Sequence, residues 1–330
     1  MRALIAAVGL LLVFTGWAEA RCAGKDLFAE LTRTEPAVAK KLVADAGLVA
    51  NGSGRFWRIE KTGVPASYLF GTFHVSDAVD GVPDAAWAAL DQARIAIFEV
   101  TLEDEQALQQ RMASDPNFML DPNAPPFADR MSAADLAQVA KAFEARGIDM
   151  SVAERLRPWM QISLVTFPPC QLREVERGKE MLDVILAKRA VAAGIPEMGL
   201  ENSVEALESL SRMTREDQTR LIIAAGRSAP FEEDLFSTNL ALYTAGRIAL
   251  IERFNDWIAE RHMPDLNLRE VNKRLLESLL DGRNAQWMPR LLPEIEKGNA
   301  FVAVGALHLV GEAGLVAALK RAGFTATRLD

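Results

Sequence analysis

FVAVGALHLVGEAGL, Phe301–Leu315, is apolar almost without break until His308. A half-exposed strand would alternate apolar and polar residues, so Ala300–Leu309 predicts a strand buried on both faces. Glu312–Ala322 then predicts a helix closed by Gly323, and Thr325–Leu329 a last strand. The chain has only three histidines, and one of them sits at the end of this apolar run.

The same order of parts stands near the other end. NGSGRFWRIEKTGVPASYLFGTFHV predicts a hairpin, with strands near Phe56–Lys61 and Ser67–Val75 and a turn containing Gly63 and Pro65. Pro83–Ala93 predicts an amphipathic helix and RIAIFEV, Arg94–Val100, a short strand. Gly71-Thr-Phe-His74 in front thus matches Gly305-Ala-Leu-His308 behind. One G-x-x-H is a weak signal, whereas two, each ending an apolar strand before a helix, form a constellation. Between the two ends, Thr101–Gly194 predicts helices and loops, with Ser132 to Asp135 as a capping box, Gly147 at a helix end and a Pro/Asn/Asp loop at Asp115–Asp129. GIPEMGLE, Gly194–Glu201, predicts a short strand. Ser203 to about Arg290 predicts helix again, with long runs at Ala229–Arg261 and Leu268–Leu280, and Asp26–Val49 predicts helix broken at Pro36. The expected fold class is α+β: a mixed β-core built from two related strand-strand-helix-strand halves, N- and C-terminal, around a large all-helical central portion.

Arg2, the apolar run Ala3–Phe14 and Ala18-Glu19-Ala20 form the pattern of a secretory leader cut after Ala20. An uncleaved anchor is the competing reading, but the run is short for a span of roughly 20 residues. The residue before Cys22 is Arg21, not the small residue expected at a lipoprotein site. Removing the first 20 of 330 residues leaves about 310. No later segment is long and apolar enough to span, so the expectation is a periplasmic or secreted protein with no membrane contact after cleavage. A net charge of −8, with no basic stripe interleaved with aromatics, argues against nucleic acid as a partner. In an oxidising compartment Cys22 and Cys170 can pair, tying the N-terminus to the FPPC segment; two unpaired thiols are the alternative.

Ligands collect at the carboxyl ends of strands in sheets with crossover helices, and both G-x-x-H histidines stand there. If the two segments are neighbours, His74 and His308 converge on one cleft. Imidazole suits zinc, manganese or cobalt, and a catalytic ion needs about three protein ligands with one position open. Glu99 and Glu201 each end a strand, where a charge is costly unless paired. Either can ligate an ion, act as general base, or simply form a salt bridge. Arg283 and Asn284 follow a long helix and can polarise a carbonyl or hold an oxyanion, or Arg283 can cap a helix C-terminus. His262 reads as a loop residue, and Trp57, Trp87, Trp159, Trp257 and Trp287 as packing residues. There is no G-x-S-x-G elbow, no H-E-x-x-H, no Walker loop and no G-x-G-x-x-G after a strand.

YLFGTFHVSD, IAIFEV, EMGLENSVEAL, GRNAQWMPRL and FVAVGALHLVGEAGL, in this order, resemble the TraB/GumN family, and the paired G-x-x-H motifs are similar to those of the Tiki metalloproteases. The resemblance covers nearly the whole mature chain. It implies an erythromycin-esterase/ChaN-like fold, one domain over 21–330 with a helical insertion at about 101–290, and a divalent-metal hydrolase, peptidase-like, acting on a peptide or small-molecule substrate. The family's motif positions fall on His74, Glu99, Glu201, Arg283, Asn284 and His308. The implied ligands of the ion are His74, His308 and Glu99, with Glu99, Glu201, Arg283 and Asn284 as catalytic groups. Where the family pattern has Thr or Ser after the second glutamate, this chain has Asn202, which puts the support of Glu201 in question. Two alternatives stand beside this reading: a haem- or iron-binding protein of ChaN-like type, and a metal-free esterase-type hydrolase working through His/Glu pairs.

Overall fold

The computed structural model describes residues 22–121 and 123–330. The proposed leader and its cleavage point therefore lie outside the described residues. No helix among the described residues is long and apolar enough to cross a membrane.

Six strands form one mixed sheet: β1 Phe56–Lys61, β2 Val64–Thr72, β3 Ile95–Phe98, β4 Glu197–Gly199, β5 Ala300–Gly305 and β6 Thr325–Arg328. Their spatial order is β4-β3-β5-β2-β1-β6. The four strands from β4 to β2 run parallel, while β1 is antiparallel to both β2 and β6. β5 sits between two parallel neighbours and every residue of it is buried. Its unbroken apolar run is what such a position requires. Successive side chains of a strand point to opposite faces. Phe301 and Ala303 enter one core with Phe70, Phe98, Leu182, Leu186 and Tyr243. Val302 and Val304 enter the other with Ile97, Trp287, Leu291 and Leu315.

The hairpin turns at Gly63 as expected, but β2 begins at Val64, three residues before the expected Ser67. Lys61 pairs with Val64 across Thr62-Gly63, with Gly63 at φ +80°, and Pro65 lies inside β2. β5 is also shorter than its apolar run: after Gly305 the chain tightens into a 3-10 turn, Ala306–Leu309, so His308 stands just beyond the strand. The two ends of the chain differ in what precedes them. β2 follows its hairpin partner β1, whereas β5 follows the helix Gly282–Lys297. The second segment is thus strand-helix-strand, without a leading strand. The middle is helical but not wholly so, since β4 interrupts it, and its last helix runs on to Lys297. The expected run Ala229–Arg261 is two helices, Glu232–Thr244 and Ile248–His262, parted at Gly246 with φ +65°. Ser132 caps Ala133–Glu144 by accepting the Asp135 N–H, and Pro36 begins a second helix after Leu27–Thr34.

Cys22 and Cys170 are joined by a disulfide across 148 residues of sequence. Cys170 opens the helix Pro169–Glu176 and is fully buried. His262 ends a helix rather than lying in a loop, and its ring rests against Phe231 at 5.2 Å, away from the strand ends.

Candidate functional site

The four parallel strands release their chains at one rim of the sheet. β2 leads to His74, β3 to Glu99, β4 to Glu201 and β5 to His308. This is the edge at which parallel sheets gather ligands.

His308 is buried, with 4% exposure. Its Nδ1 lies 2.8 Å from Asn284 Oδ1, and the Asn284 amide donates to the carbonyls of His308 and Ala313 at 3.1 Å each. An amide oxygen only accepts, so Nδ1 carries the proton and Nε2 presents a lone pair. That Nε2 stands 3.3 Å from Arg283 Nη1 and 3.7 Å from Glu99 Oε1. The Trp287 ring lies against the imidazole at 4.3 Å between centroids. Burial, opposed by Glu99 and reinforced by Arg283 and His74, pushes the imidazole down to about 3, so the ring is neutral at ordinary pH.

His74 is the open counterpart, with 57% of its side chain exposed. Its Nδ1 bonds Asp183 Oδ2 at 2.9 Å, and the Thr72 hydroxyl donates to the other oxygen of Asp183 at 2.5 Å. The Asp183 carboxylate raises the His74 pKa above its usual 6.5, against an opposing effect of burial. Solvent at so exposed a ring moderates the pull. His74 Nε2 faces Glu99 Oε1 at 3.9 Å.

Glu99 joins the two rings. Oε1 accepts the Gly305 N–H at 2.7 Å and Oε2 accepts Arg283 Nη2 at 2.6 Å. Burial works against its charge, but surrounding cations and the Gly305 N–H hold the carboxyl at about 2. With His308 neutral near pH 7, the cations that act there are His74 and Arg283. Glu201 lies deeper, its side chain 3% exposed. Arg283 Nε reaches its two oxygens at 2.9 and 3.2 Å, Arg283 Nη2 also donates to it, and Trp287 Nε1 donates at 3.0 Å.

Arg283 is therefore the hub, and local helix geometry aims it. A π-helical turn, Glu277–Asp281, precedes the helix Gly282–Lys297, and Arg283 Nη1 donates to the Leu279 carbonyl of that turn at 3.2 Å. π-turns leave backbone groups out of the regular ladder and gather at functional sites. One helical turn on, at the i+4 position, the Trp287 ring lies under the guanidinium at 4.7 Å. Asn202, where the family pattern has Thr or Ser, caps the helix Ser203–Ser211 by accepting the N–H groups of Val204 and Glu205. Asn, Ser and Thr all serve well as N-caps, so the chain leaving Glu201 keeps its support.

The glycines of the two motifs do different work. A Cβ on Gly305 would stand 3.1 Å from His74 Nε2, 3.3 Å from Glu99 Oε1 and 3.6 Å from His308 Cδ2, so this glycine keeps the gap among the three open. A Cβ on Gly71 would meet Ala306 Cα at 2.8 Å, so that glycine lets β2 close on the turn after β5.

Among the described residues no group of three or more His, Cys, Asp or Glu stands ready to hold a metal ion. The donor chemistry of His74, His308 and Glu99 nonetheless fits a divalent cation. Each ring has its Nδ1 tied to an oxygen, as metal-binding imidazoles usually do. Their Nε2 atoms lie 3.7 and 3.9 Å from Glu99 Oε1, a few tenths wider than the roughly 3.4 Å between neighbouring donors on a tetrahedral ion. Arg283 Nη1 is already on the lone pair of His308 Nε2, so an ion takes that position in competition with the guanidinium.

All six sequence-derived site residues, His74, Glu99, Glu201, Arg283, Asn284 and His308, come together at this rim. Asn284 spends its amide on His308 and two carbonyls. Sequence reasoning missed Asp183, an acid in the first turn of the helix Leu182–Ala192, where acids are ordinary. It also read Trp287 as packing alone, although the Arg283–Trp287 spacing of one helical turn could have signalled contact. Beside His74 opens a cavity of about 510 Å³ walled by Phe73, Val75, Phe167, Pro168 and Phe236.

At the carboxyl ends of the parallel strands of this mixed sheet stand two histidines and two glutamates, bridged by an arginine from the helix that precedes β5. A sequence model of the TraB/PrgY/gumN family matches residues 55–328, and the chain belongs to that family. No curated protein matches the chain.

Proposed function

We propose that the protein is an exported hydrolase whose centre is His74, Glu99 and His308, and that these three residues hold a divalent cation: zinc, manganese or cobalt. One observation carries the reading: two imidazole Nε2 atoms turn toward a single carboxylate oxygen while both Nδ1 atoms are tied back. A divalent ion there supplies Lewis acidity toward a carbonyl and makes water a stronger acid. The chain's own groups do the rest. Arg283 holds Glu99 and Glu201 in place, Asn284 fixes the His308 ring, and Asp183 fixes His74. Glu201, enclosed by Arg283 and Trp287, acts through Arg283 rather than as a base. The 510 Å³ cavity beside His74 gives a peptide or small-molecule substrate a place to lie. The leader pattern and the Cys22–Cys170 bond support export. Residues 21–330 are read as one domain, with the helices of about 101–290 as an insertion. The adjacency of β2 and β5, Thr72 beside Gly305, supports kinship of the two G-x-x-H segments.

A second reading, a metal-free hydrolase, is favoured by the charge states. Near pH 7 His308 is neutral and His74 protonated, a base and an acid either side of Glu99. Chelator-treated protein assayed on peptide and ester substrates separates the two. Loss of turnover restored by zinc, manganese or cobalt supports the first. Turnover indifferent to chelator but abolished by His74→Ala or His308→Ala supports the second. Turnover that survives both histidine substitutions defeats both.

A further inference from the structure

Gln171 follows Cys170 directly and is fully buried. Both ends of its amide are engaged. Oε1 accepts the Ser76 N–H at 3.1 Å and the Ser76 hydroxyl at 3.1 Å, and Nε2 points at Cys22 Sγ from 3.3 Å. Ser76 lies two residues past His74. One side chain therefore runs from the disulfide to the backbone just beyond a site imidazole. The rest of this loop hangs on the next helix: Leu182 N–H donates to the Val75 carbonyl at 3.3 Å, and Asp183 holds Thr72 and His74. The Cys22 end is braced as well. Lys25 N–H donates to Asp234 at 2.7 Å and Leu27 N–H to the Thr238 hydroxyl at 2.8 Å.

We infer that Gln171 is a positioning residue and that the Cys22–Cys170 bond, through it, sets the order of the His74 loop, making the site responsive to thiol–disulfide exchange. Cys22 is part-exposed and Cys170 buried, so a dithiol reductant attacks at Cys22 Sγ. A mixed disulfide forms, the second thiol of the reductant displaces it, and the reductant leaves oxidised to its own disulfide. Two electrons and two protons pass to the two cysteines, which end as thiols. Gln171 then loses the fixed sulfur opposite its Nε2, and its Oε1 is no longer pinned against Ser76. The inference rests on His74 belonging to the functional site, but its test needs neither an ion nor a substrate.

Amide hydrogen exchange separates a local device from a general staple, because local opening and global unfolding expose different amides. In oxidised Gln171→Met, exchange at Ser76 is expected to quicken roughly tenfold, the scale of one lost buried hydrogen bond, while Val302 in the centre of β5 keeps its rate. Gln171→Glu keeps an acceptor for Ser76 but has no N–H to offer Cys22 Sγ, so Ser76 should exchange faster there too. Reduced wild type should show the same selective loss at Ser76. Its His74 imidazole signals should move while those of His262 stay, a resolvable comparison in a chain with three histidines. Equal quickening at Ser76 and Val302 on reduction would make the disulfide a plain staple and overturn the inference, as would an unchanged Ser76. Should Gln171→Met fail to fold, the rates at Ser76 and Val302 in reduced wild type decide between the local device and the staple on their own.

Discussion

Replacing Arg283 by Met removes the cation shared by two carboxylates. The side chains of Arg283, Glu99 and Glu201 are 11%, 15% and 3% exposed. Breaking a buried pair by deleting one partner costs about 3–5 kcal/mol, because the other charge stays behind unpaired. Here two charges stay behind, so Arg283→Met should lose at least the lower end of that range near pH 7. Lysine should rescue little, since an ammonium cannot reproduce the planar fork that spans both carboxylates. Adding Glu201→Leu should recover part of the loss, and the double-mutant cycle measures the coupling. The pH dependence has a defined sign. In the wild type Glu99 is held at about 2, below the usual 4.5. Its ionised form therefore adds stability above 4.5 that is lost as pH falls toward 2. Without Arg283, Glu99 loses one of the cations that hold its carboxyl down and takes up its proton sooner. The gap between variant and wild type should thus narrow on acidification to about pH 4. Urea unfolding with the disulfide intact, at neutral and acid pH, gives both numbers. A loss under about 1 kcal/mol, or a gap that widens in acid, would show that Arg283 is not the hub of a buried charge network.

Nitrogen-detected spectra of the histidines should show His308 neutral at pH 7 with its proton on Nδ1, and His74 protonated; a His308 that titrates near 6.5 contradicts the burial argument. Because the His308 pKa is depressed, its contribution to stability is complete above 6.5 and is lost as pH falls toward 3. Asp183→Asn removes the charge that raises His74, so the His74 midpoint should fall toward 6.5 in the same spectra; an unmoved midpoint rejects Asp183 as its cause. Gly305→Ala and Gly71→Ala should diverge. The first places a methyl among His74, Glu99 and His308 and should abolish turnover with little change in stability. The second drives a methyl into backbone and should cost about 1–3 kcal/mol by thermal unfolding. Equal effects from the two would deny the glycines their separate roles.

Much of the sheet was legible because burial imposes pattern. The unbroken run of β5 could satisfy only a strand covered on both faces, the hairpin carried its turn at Gly63, and β3 its run of β-rich residues. The failures were local. His308 fell on a 3-10 turn because apolarity continues past Gly305 after the ladder has ended. The break at Gly246 was hidden by apolar residues on both flanks. At the site, residues ending strands could be found, because parallel strands deliver their ends to one rim. Asp183, Gln171 and the contact role of Trp287 could not, because their partners are set by how helices dock on the sheet, and no spacing in the chain encodes that. The π-turn that aims Arg283 begins inside a run, Leu268–Leu280, whose pattern is that of ordinary helix.

Whether His74, Glu99 and His308 together hold one divalent ion decides between the two proposed chemistries. Cobalt(II) titration of the oxidised, chelator-stripped protein, read by its visible absorption, tests it without a substrate. One ion should bind per chain with the spectrum of a nitrogen–oxygen site, lost in His308→Ala and in Glu99→Gln and weakened in His74→Ala. No cobalt spectrum in the wild type, or one that persists in all three variants, would contradict it.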